Sequence, residues 1–469
     1  MRLRMLFMKN MRRFVQLLSQ IEEINIVVIG DIILDEYTFG EAGKVSTGIQ
    51  VPIIEKTKQI HNLGGAGNVA ANMAALSKNV TLIGQIGSDE LGNHVEGLIR
   101  EQNIHLYKTR TETTIVKQRI YISDQQIMRL DNNSYIERLE FDVDSALVDI
   151  KPDVIVLVDY GYGMISQSVI DMVCDYGKEK KIVTIMSSRD YTKYRIKRID
   201  LIVANEYEVN ECKDIFKNVH RLYITHGEKG IGYLDENEKI FSKQFKRMPV
   251  NVSGAGDTAL AVIALLSRTD AIVPEILEIA NLAAGIAVED QFTYVINKKE
   301  MINEMYNILV DQDSSLKIMS EKEVGILIET WKQKSYKIVF TNGCYDILHF
   351  GHFALLSAAK KYGDKLIVAI NSDSSVKRIK GKDRPINDLN TRIKTLACLE
   401  MVDALVSFDT DTAIGLIKTI KPDIYVMGDE YISKELPEAD YVDRVELIPM
   451  IDGFSTTNQI KKIQGKKND

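Results

Sequence analysis

Short runs of apolar residues, each ending at a glycine or a polar residue, recur along the chain. The first run covers residues 26–29 and ends at Gly30-Asp31, the pattern of a buried strand that delivers a carboxylate to a sheet edge. Similar runs lie at residues 154–158, 182–185, 201–204 and 222–225. Amphipathic stretches of helical length separate them, as at residues 68–76 and 169–176. The alternation predicts an α/β fold whose ligands bind at the carboxyl ends of the strands.

A second series of the same kind follows a polar break. The helical pattern at residues 276–288 gives way to Asp311-Gln312-Asp313-Ser314-Ser315, which is typical of a linker. New apolar runs then lie at residues 337–340, 366–370, 423–427 and 445–449. We therefore predict four segments: an N-terminal extension (1–23), a first α/β domain (24–310), a linker (311–325) and a second, smaller α/β domain (326–469).

Composition narrows the class of protein. The chain has 469 residues, of which 45% are hydrophobic and 27% are charged, and its formal charge is −7, so it is globular and we expect no nucleic-acid partner. The longest apolar stretches, such as residues 259–266, are shorter than the roughly 18 residues of a membrane span. The four cysteines form no C-x-x-C pair, which argues against disulfides and a zinc site and predicts a cytoplasmic protein. The basic residues 1–14 resemble a helical extension rather than a signal peptide.

The most specific motif of the first domain is the small-residue loop 251–258, which opens an apolar helix. Its backbone N–H groups, at Gly254, Ala255 and Gly256, can hold the negative charge of a transferring phosphoryl group. Asp257 can accept the proton of an attacking hydroxyl, although an aspartate here is also a common helix cap. The loop predicts phosphoryl transfer with Asp257 as the general base.

Three weaker motifs follow other strands or precede helices. Thr225, Gly227 and Gly230 form a turn that lets the backbone approach a nucleotide, or that merely connects two strands. Asn205 and Glu208 can hold magnesium-bound water, or can simply cap a helix. The turn 64–68 offers bare backbone at Gly64 and Gly65, and the Asn68 amide, to a polyol, or is a tight entry into a helix.

In this order the motifs resemble the ribokinase-like family of sugar kinases over about residues 24–310. Gly30-Asp31, Asp35, the turn 64–68 and the stretch 125–131 are most similar to the bacterial heptose-7-phosphate kinases. The resemblance implies a three-layer α/β/α domain in which Asp257 deprotonates the acceptor hydroxyl. It also implies a sugar pocket formed by Asp31, Asp35, Gly64, Gly65, Asn68 and Arg129.

The chain departs from that kinase pattern mainly on the sugar side. Residues 44–50 read K-V-S-T-G-I-Q where R-I-S-P-E-A-P is usual, and Asn251 replaces an aspartate. Where the family has D-Y-x-K-G, this chain has Asp159-Tyr160-Gly161-Tyr162-Gly163. Where the family has D-P-K, it has Ile185-Met186-Ser187. Two lysines expected near phosphate are therefore missing. These changes favour an active kinase with an altered acceptor, and they leave open a first domain that only binds or oligomerises.

The second domain opens with a strand that runs into residues 341–352, where His349 and His352 stand at a helix entrance. Paired imidazoles there can donate hydrogen bonds to a triphosphate, whereas a zinc site would need further ligands. The H-x-G-H pattern resembles the cytidylyltransferase-like nucleotidyltransferases, which implies a Rossmann-like fold over about residues 320–465. With the kinase upstream, the chain resembles the bifunctional ADP-heptose synthesis proteins.

That resemblance implies further nucleotide and phosphate contacts. They are Thr341, Asn342, Gly343, Asp346, Asp373, Lys380, Arg384, Gly428, Ser455, Thr456 and Thr457. Their alternatives are solvated charges and an ordinary helix cap. Where the heptose enzymes usually have K-G-G-D-Y, this chain has Met427-Gly428-Asp429-Glu430-Tyr431. That stretch is more similar to glycerol-phosphate cytidylyltransferases. We expect ATP as the nucleotide, with CTP as the alternative.

The expected function is two transfers on one chain. ATP phosphorylates the anomeric hydroxyl of a sugar phosphate, with heptose 7-phosphate first, and a nucleotidyl group is then transferred to a sugar 1-phosphate to give ADP-heptose and pyrophosphate. Mg²⁺ serves both steps, and no resident protein metal site is predicted. A separate phosphatase must act between the steps, and the family resemblance implies a homodimer. The alternative is the same chemistry on another sugar or polyol with CTP.

Overall fold

The computed structural model describes residues 11–46, 52–122, 125–132, 143–196, 198–216, 219–243, 245, 249–312, 314–429 and 437–449. Contacts divide the chain into two units, Met1–Met301 and Ile302–Asp469. The division falls within a helix, and each unit has its own parallel sheet. The two units are described separately below.

The strands and helices alternate in both units. The strands are β1 (Asn25–Gly30), β2 (Ile32–Val45), β3 (Pro52–Gly65), β4 (Asn79–Gly87), β5 (His105–Thr111), β6 (Val116–Ile122), β7 (Gln125–Asn132), β8 (Val154–Asp159), β9 (Val183–Ser188), β10 (Leu201–Asn205), β11 (Arg221–Thr225), β12 (Gly230–Asp235), β13 (Lys239–Lys243), β14 (Ile318–Met319), β15 (Ile338–Gly343), β16 (Lys365–Asn371), β17 (Ala404–Phe408), β18 (Ile424–Gly428) and β19 (Val445–Ile448). The helices are α1 (Met11–Gln20), α2 (Ala66–Ala74), α3 (Glu90–Glu101), α4 (Val143–Ile150), α5 (Gln167–Lys180), α6 (Glu206–Glu211), α7 (Lys213–Phe216), α8 (Ala255–Leu266), α9 (Val273–Ala287), α10 (Lys298–Gln312), α11 (Glu321–Gln333), α12 (Phe350–Lys360), α13 (Asp373–Lys380), α14 (Leu389–Ala397) and α15 (Ile414–Ile420).

The first unit is built on a nine-stranded sheet of order β13-β12-β11-β10-β9-β8-β1-β4-β5. The strands from β11 to β5 are parallel, and β12 and β13 are antiparallel additions at one edge. The apolar runs found in the sequence form its central strands, because strands with helices on both faces must be apolar on both. Strand order reverses beside β1, so the crevice between the ends of β1 and β8 is the expected ligand site.

Helices cover both faces of this sheet. One face packs Val27, Ile29, Ile155 and Leu157 against helices α4 and α5. On the other face, α2 packs on β1 and β4, α8 on β8, and α9 on β12 and β13. Since successive strand residues point to opposite faces, each strand of the run contributes to both cores. The result is the three-layer α/β/α arrangement expected from the sequence.

A separate four-stranded sheet of order β3-β2-β6-β7 was not predicted from the sequence. Strands β2 and β3 are both fourteen residues long and pair across irregularities at Phe39/Gly40 and Ala42/Lys44. The side chains of β7 are exposed along its whole length. Strand β6 carries buried charges at Lys117 and Arg119. Without apolar runs, this sheet gives no strand signal.

The second unit has a six-stranded sheet of order β14-β17-β16-β15-β18-β19, in which every neighbouring pair is parallel. From β15 onwards this is the 3-2-1-4-5 order of a Rossmann-like sheet. Leu356 and Ala359 of α12, with Ile393 and Leu396 of α14, belong to its apolar core. The order reverses between β15 and β18, so the residues after β15 lie at the ligand-binding edge.

The structure changes the interpretation of the two predicted non-domain segments. In the N-terminal extension, α1 buries Phe14, Leu17 and Leu18 completely, so it is part of the first unit's core. In the predicted linker, residues 311–325, Ile318–Met319 pairs with β17 and Ser320 caps α11. Polar residues there mark turns and a helix cap rather than a free connection.

Within the described ranges, no helix is long and apolar enough to cross a membrane.

Replacing Phe14 by alanine should destabilise the first unit. The ring is fully buried, and large-to-small substitutions of this kind cost about 3 kcal/mol through lost burial and a residual cavity. Urea unfolding followed by circular dichroism should show an earlier transition for Phe14→Ala. Gln16→Ala on the exposed face of α1 is the matched control, and equal midpoints for the two variants would contradict the packing role.

Candidate active sites

Asp31, the residue after β1, binds backbone rather than facing an open pocket. It is 1% exposed, and its carboxylate accepts hydrogen bonds from the N–H groups of Tyr160 (2.8 Å), Tyr162 (3.1 Å) and Met164 (3.1 Å). These residues follow β8, across the crevice from β1. The sequence resemblance implied a sugar contact for Asp31, which stays a prediction; the structure shows that the same carboxylate also fixes the loop after β8.

Asp257 lies in the first turn of α8 and receives two side-chain hydrogen bonds. Asn68 Nδ2 donates to Oδ2 over 3.0 Å, and the Tyr160 hydroxyl donates to Oδ1 over 2.7 Å. Gly254, which caps α8 with φ 83°, passes close to the same amide: a Cβ there would lie 2.9 Å from Asn68 Nδ2. The sequence predicted Asp257, Asn68 and Gly254 from separate motifs, and the structure brings them together.

Asn72 fixes the side chain of Asn68 through a hydrogen bond. Its Nδ2 donates to Asn68 Oδ1 over 3.0 Å, and its Oδ1 accepts from the Ile296 N–H over 3.1 Å and from the Thr258 hydroxyl over 3.3 Å. Both asparagines are fully buried. Since the Asn68 oxygen is an acceptor, its NH₂ group must face Asp257. The amide orientation is therefore set by the network.

Asp35 forms a second polar cluster with Arg119 of β6. Arg119 Nη1 lies 2.8 Å from Asp35 Oδ1, and the Thr293 hydroxyl donates to Oδ2 over 3.0 Å. Both charged side chains are buried. Gly64 is needed beside them, because a Cβ there would lie 2.6 Å from Asp35 Oδ2. Gly65 caps α2 at the same end of the sheet.

Three cations near these carboxylates were not identified from the sequence: Lys117, Arg119 and Arg189. Lys117 is 4% exposed, and its Nζ lies 4.4 Å from the ring centroid of Tyr160 and 5.7 Å from that of Tyr162. Arg189 lies over the Tyr160 ring at 4.6 Å. Arg129, which was predicted, is half-exposed and pairs with Asp131 over 2.7 Å. The only available signal for Lys117 and Arg119 was their alternation within β6.

Burial and neighbouring charges shift the proton equilibria of this site. Burial raises the pKa of Asp257, and the hydrogen bonds from Asn68 and Tyr160 oppose that shift. The pKa of Lys117 is lowered to about 8, mainly by burial and then by Arg189 and Arg129, while Asp35 and Asp257 oppose the shift. The charges of Arg189, Arg129 and Asp257 thus all act on Lys117.

On the nucleotide side, the predicted residues lie at the ends of neighbouring strands. Asn205 and Glu208 form a capping box on α6: Asn205 Oδ1 accepts from the Glu208 N–H over 2.9 Å, and Glu208 Oε2 accepts from the Asn205 N–H over 2.8 Å. This is the capping alternative noted in the sequence. Thr225 ends β11 beside Asn205, and Gly227 and Gly230 flank the turn into β12. Ala255 and Gly256 begin α8, with Gly254 as its cap.

In the second unit, His349 and His352 stand at the start of α12 with their rings stacked 3.9 Å apart. The His349 N–H donates to His352 Nδ1 over 3.4 Å, which places the ring proton of neutral His352 on Nε2. Burial, and then the neighbouring His349, lowers the pKa of His352 to about 4. Burial also lowers the pKa of His349. Both imidazoles are therefore neutral donors near pH 7.

Buried charges fix the loops around these histidines. Asp346, which is 3% exposed, accepts from the N–H groups of Ile386 (2.7 Å) and Asn387 (3.0 Å) and pairs with Arg384. Arg392 donates to the Cys344 carbonyl over 2.6 Å and to Asp373 Oδ1 over 2.7 Å. Asp346 and Arg384, both predicted to contact nucleotide or phosphate, are thus engaged with each other here.

Four other predicted residues of this unit lie at the ends of strands of its sheet. Thr341, Asn342 and Gly343 end β15, and Asn342 Oδ1 accepts from the Tyr425 hydroxyl over 2.5 Å. Gly428 ends β18 after the buried Met427. Lys380 ends α13 and is exposed. Ser455, Thr456 and Thr457 lie outside the described residues.

Known proteins share both halves of this arrangement. The model of the pfkB family of carbohydrate kinases matches residues 24–158 and 164–299, and a cytidylyltransferase-like model matches residues 340–463. Phosphofructokinase-2 from Escherichia coli, solved in complex with potassium, is similar with a TM-score of 0.51 at 15% identity, over 61% of this chain and 99% of that one. These matches confirm the predicted ribokinase-like and Rossmann-like folds.

Whole-length relatives carry the two halves together. The bifunctional protein HldE of Campylobacter fetus is 35% identical over 470 residues, which is 94% of this chain and 100% of that protein. The bifunctional protein HldE of Actinobacillus succinogenes is 35% identical over 478 residues, which is 96% and 99% of the two chains. The chain therefore belongs to the family of bifunctional HldE proteins, enzymes that join a pfkB family carbohydrate kinase to a cytidylyltransferase-like nucleotidyltransferase.

Proposed function

We propose that the first unit phosphorylates the anomeric hydroxyl of a sugar that already carries a phosphate, with heptose 7-phosphate as the first candidate. The observation that carries the proposal is the position of Lys117. This ammonium group is removed from solvent in the pocket of Asp257, among aromatic rings, with Arg119 and Arg129 nearby. A neutral sugar would not offset the cost of burying such a cation, whereas a phosphate would.

The proposed phosphoryl transfer uses Asp257 as the base. The acceptor oxygen forms a bond to the γ-phosphorus of ATP as the bond to the β–γ bridging oxygen breaks, ADP leaves, and Asp257 takes the hydroxyl proton. The N–H groups of Gly254, Ala255 and Gly256 at the start of α8 bind the phosphoryl oxygens. Asn68 and Tyr160 hold the carboxylate in place.

Magnesium would reach both sites with the nucleotide. No group of three or more His, Cys, Asp or Glu side chains among the described residues is arranged to hold a metal ion. This fits an ion that keeps several waters and binds mainly through substrate phosphates, where it neutralises their charge. Asn205 and Glu208 are the proposed contacts for its bound water on the kinase side.

For the second unit, we propose transfer of a nucleotidyl group from ATP to a sugar 1-phosphate. A phosphate oxygen of the sugar attacks the α-phosphorus, the bond to the β-phosphate breaks, and pyrophosphate leaves. Neutral His349 and His352 donate hydrogen bonds to the triphosphate. CTP is the competing donor, because Met427 puts a buried thioether where the family motif has a lysine. With ATP and a heptose 1-phosphate, the product is ADP-heptose.

The two steps do not follow directly on each other. A sugar phosphorylated at both ends must lose the distal phosphate before the second transfer, so a separate phosphatase belongs between them. We also propose a homodimer formed through the four-stranded sheet, with a second copy covering edge strand β7. Ile127, Met128 and Leu130 of that strand are 48%, 49% and 48% exposed, and among the described residues β7 is the last strand of its sheet.

Mass spectrometry of reactions containing Mg²⁺ and ATP tests the assignment of the first unit. Heptose 7-phosphate should gain one phosphate, and unphosphorylated heptose should react far more slowly because Lys117 then has no phosphate to bind. Other sugar and polyol phosphates in parallel wells would reveal a different acceptor. Heptose 1-phosphate with ATP or CTP in further wells identifies the nucleotide donor. A first unit that modifies no acceptor while the second remains active would instead favour a binding or oligomerisation role.

Tyr160→Phe should move the acid limb of the kinase pH profile upwards. Asp257 must be ionised to act as a base, so kcat falls as the pH drops through its raised pKa. Losing the Tyr160 hydrogen bond removes a stabiliser of the carboxylate and raises that pKa further. The pH dependence of kcat measures the shift. Tyr162→Phe is the control, and an identical limb in both variants would exclude the Tyr160 effect.

His352→Gln should retain more nucleotidyltransferase activity than His352→Asn. The glutamine NH₂ group can reach the position of Nε2, where neutral His352 carries its proton, whereas the asparagine NH₂ group reaches only the position of Nδ1. We expect both to lose activity and Asn to lose about tenfold more. Pyrophosphate release measures the step, and unchanged kinase activity in the same chain shows intact folding. Asn equal to or better than Gln would contradict the tautomer.

A further inference from the structure

Arg189 occupies a position that the known motifs do not explain. It follows β9 in a segment where Ser187 stands in place of the lysine of the family's D-P-K motif. Its guanidinium group is exposed and lies 4.6 Å from the ring centroid of Tyr160. That ring carries the hydroxyl which donates to Asp257 over 2.7 Å. Arg189 therefore stands one side chain away from the proposed catalytic base.

The backbone around Arg189 is fixed to the same loop as Tyr160. The Arg189 N–H donates to the Asp159 carbonyl over 3.1 Å, and the Ser188 hydroxyl donates to Asp159 Oδ2 over 2.6 Å. The other oxygen of Asp159 accepts from the Gly161 N–H over 2.9 Å. Asp159 thus ties the segment after β9 to the loop after β8. The guanidinium group is held at the crevice by two anchored loops.

The charge of Arg189 acts on both sides of the site. It lowers the pKa of Lys117 on the sugar side and opposes the burial that raises the pKa of Glu208 on the nucleotide side. Its charge therefore reaches one residue on each side of the crevice, in addition to its contact with the Tyr160 ring. Within the described ranges its guanidinium group has the ring contact and no ion pair.

Resting on the kinase activity proposed above, we propose that Arg189 contacts the phosphoryl group in transfer and acts as a further catalytic residue of the first unit. As the acceptor oxygen bonds to the γ-phosphorus and the bond to ADP breaks, negative charge spreads over the phosphoryl oxygens and the leaving oxygen. The planar guanidinium group donates paired hydrogen bonds to such oxygens. Stacking on Tyr160 orients that plane before the substrates bind.

The test compares Arg189→Ala and Arg189→Lys with Arg195→Ala in the full chain, using the acceptor that the wild-type enzyme phosphorylates. Arg195 is an exposed arginine six residues further on, so its replacement by alanine removes the same charge. Arg189→Ala should lower kinase kcat by about 10²-fold with the acceptor KM changed less than about threefold. Added guanidinium ion should restore part of that loss, and Arg189→Lys should fall between Ala and wild type. Arg195→Ala should match wild type.

Each alternative result has one meaning. An unchanged kcat, or a loss confined to KM, would overturn the role of Arg189 in the transfer itself. A loss that guanidinium ion does not restore, together with reduced nucleotidyltransferase activity, would indicate damaged folding and also overturn it. A wild-type chain without kinase activity on any acceptor would refute the proposed function of the first unit instead.

Discussion

The geometry of the kinase site depends on one buried carboxylate, that of Asp31. Asp31 closes the gap between the ends of β1 and β8 by binding three N–H groups of the loop that follows β8. Leaving even one such buried donor unpaired costs about 1–3 kcal/mol, so the loop has one favoured path. That path sends Tyr160 towards Asp257 and places its ring under two cations. Asp31 therefore helps to orient the Asp257 carboxylate, because it fixes the position of Tyr160.

In the second unit, a buried cation fixes the loops around the proposed site. Arg392 has no exposed side-chain surface, and it joins the carbonyl of Cys344, in the loop before the two histidines, to Asp373 at the start of α13. Asp346 ties that loop to the backbone at Ile386 and Asn387. In both units the loops at the switch point of a parallel sheet are held by internal charges. Exposed donors near them, such as Arg189 and Lys380, remain available to substrates.

The parallel sheets could be predicted from the sequence because their strands are buried on both faces and are therefore continuously apolar. The four-stranded sheet could not, since β7 is exposed on every residue and β6 buries Lys117 and Arg119 where a strand pattern would show apolar side chains. The same limit applies to the site. Asp257 and the paired histidines are marked by the helix starts at which they lie, whereas the partners of Lys117 come from separate elements that only the fold brings together.

The position of Asp31 shows that a motif residue can have a structural role that its family resemblance does not suggest. A carboxylate after a buried strand can face a ligand or its own backbone, and the sequence is the same in both cases. Conversely, a role suggested by a family motif can be filled by residues outside the motif, as the two missing lysines show. Tyr162 and Ser187 carry no charge, yet Lys117 lies 5.7 Å from the ring of Tyr162 and Arg189 follows two residues after Ser187. Positive charge in this pocket is thus supplied by whichever strand reaches it, and a motif that lacks its lysine does not by itself indicate an inactive site.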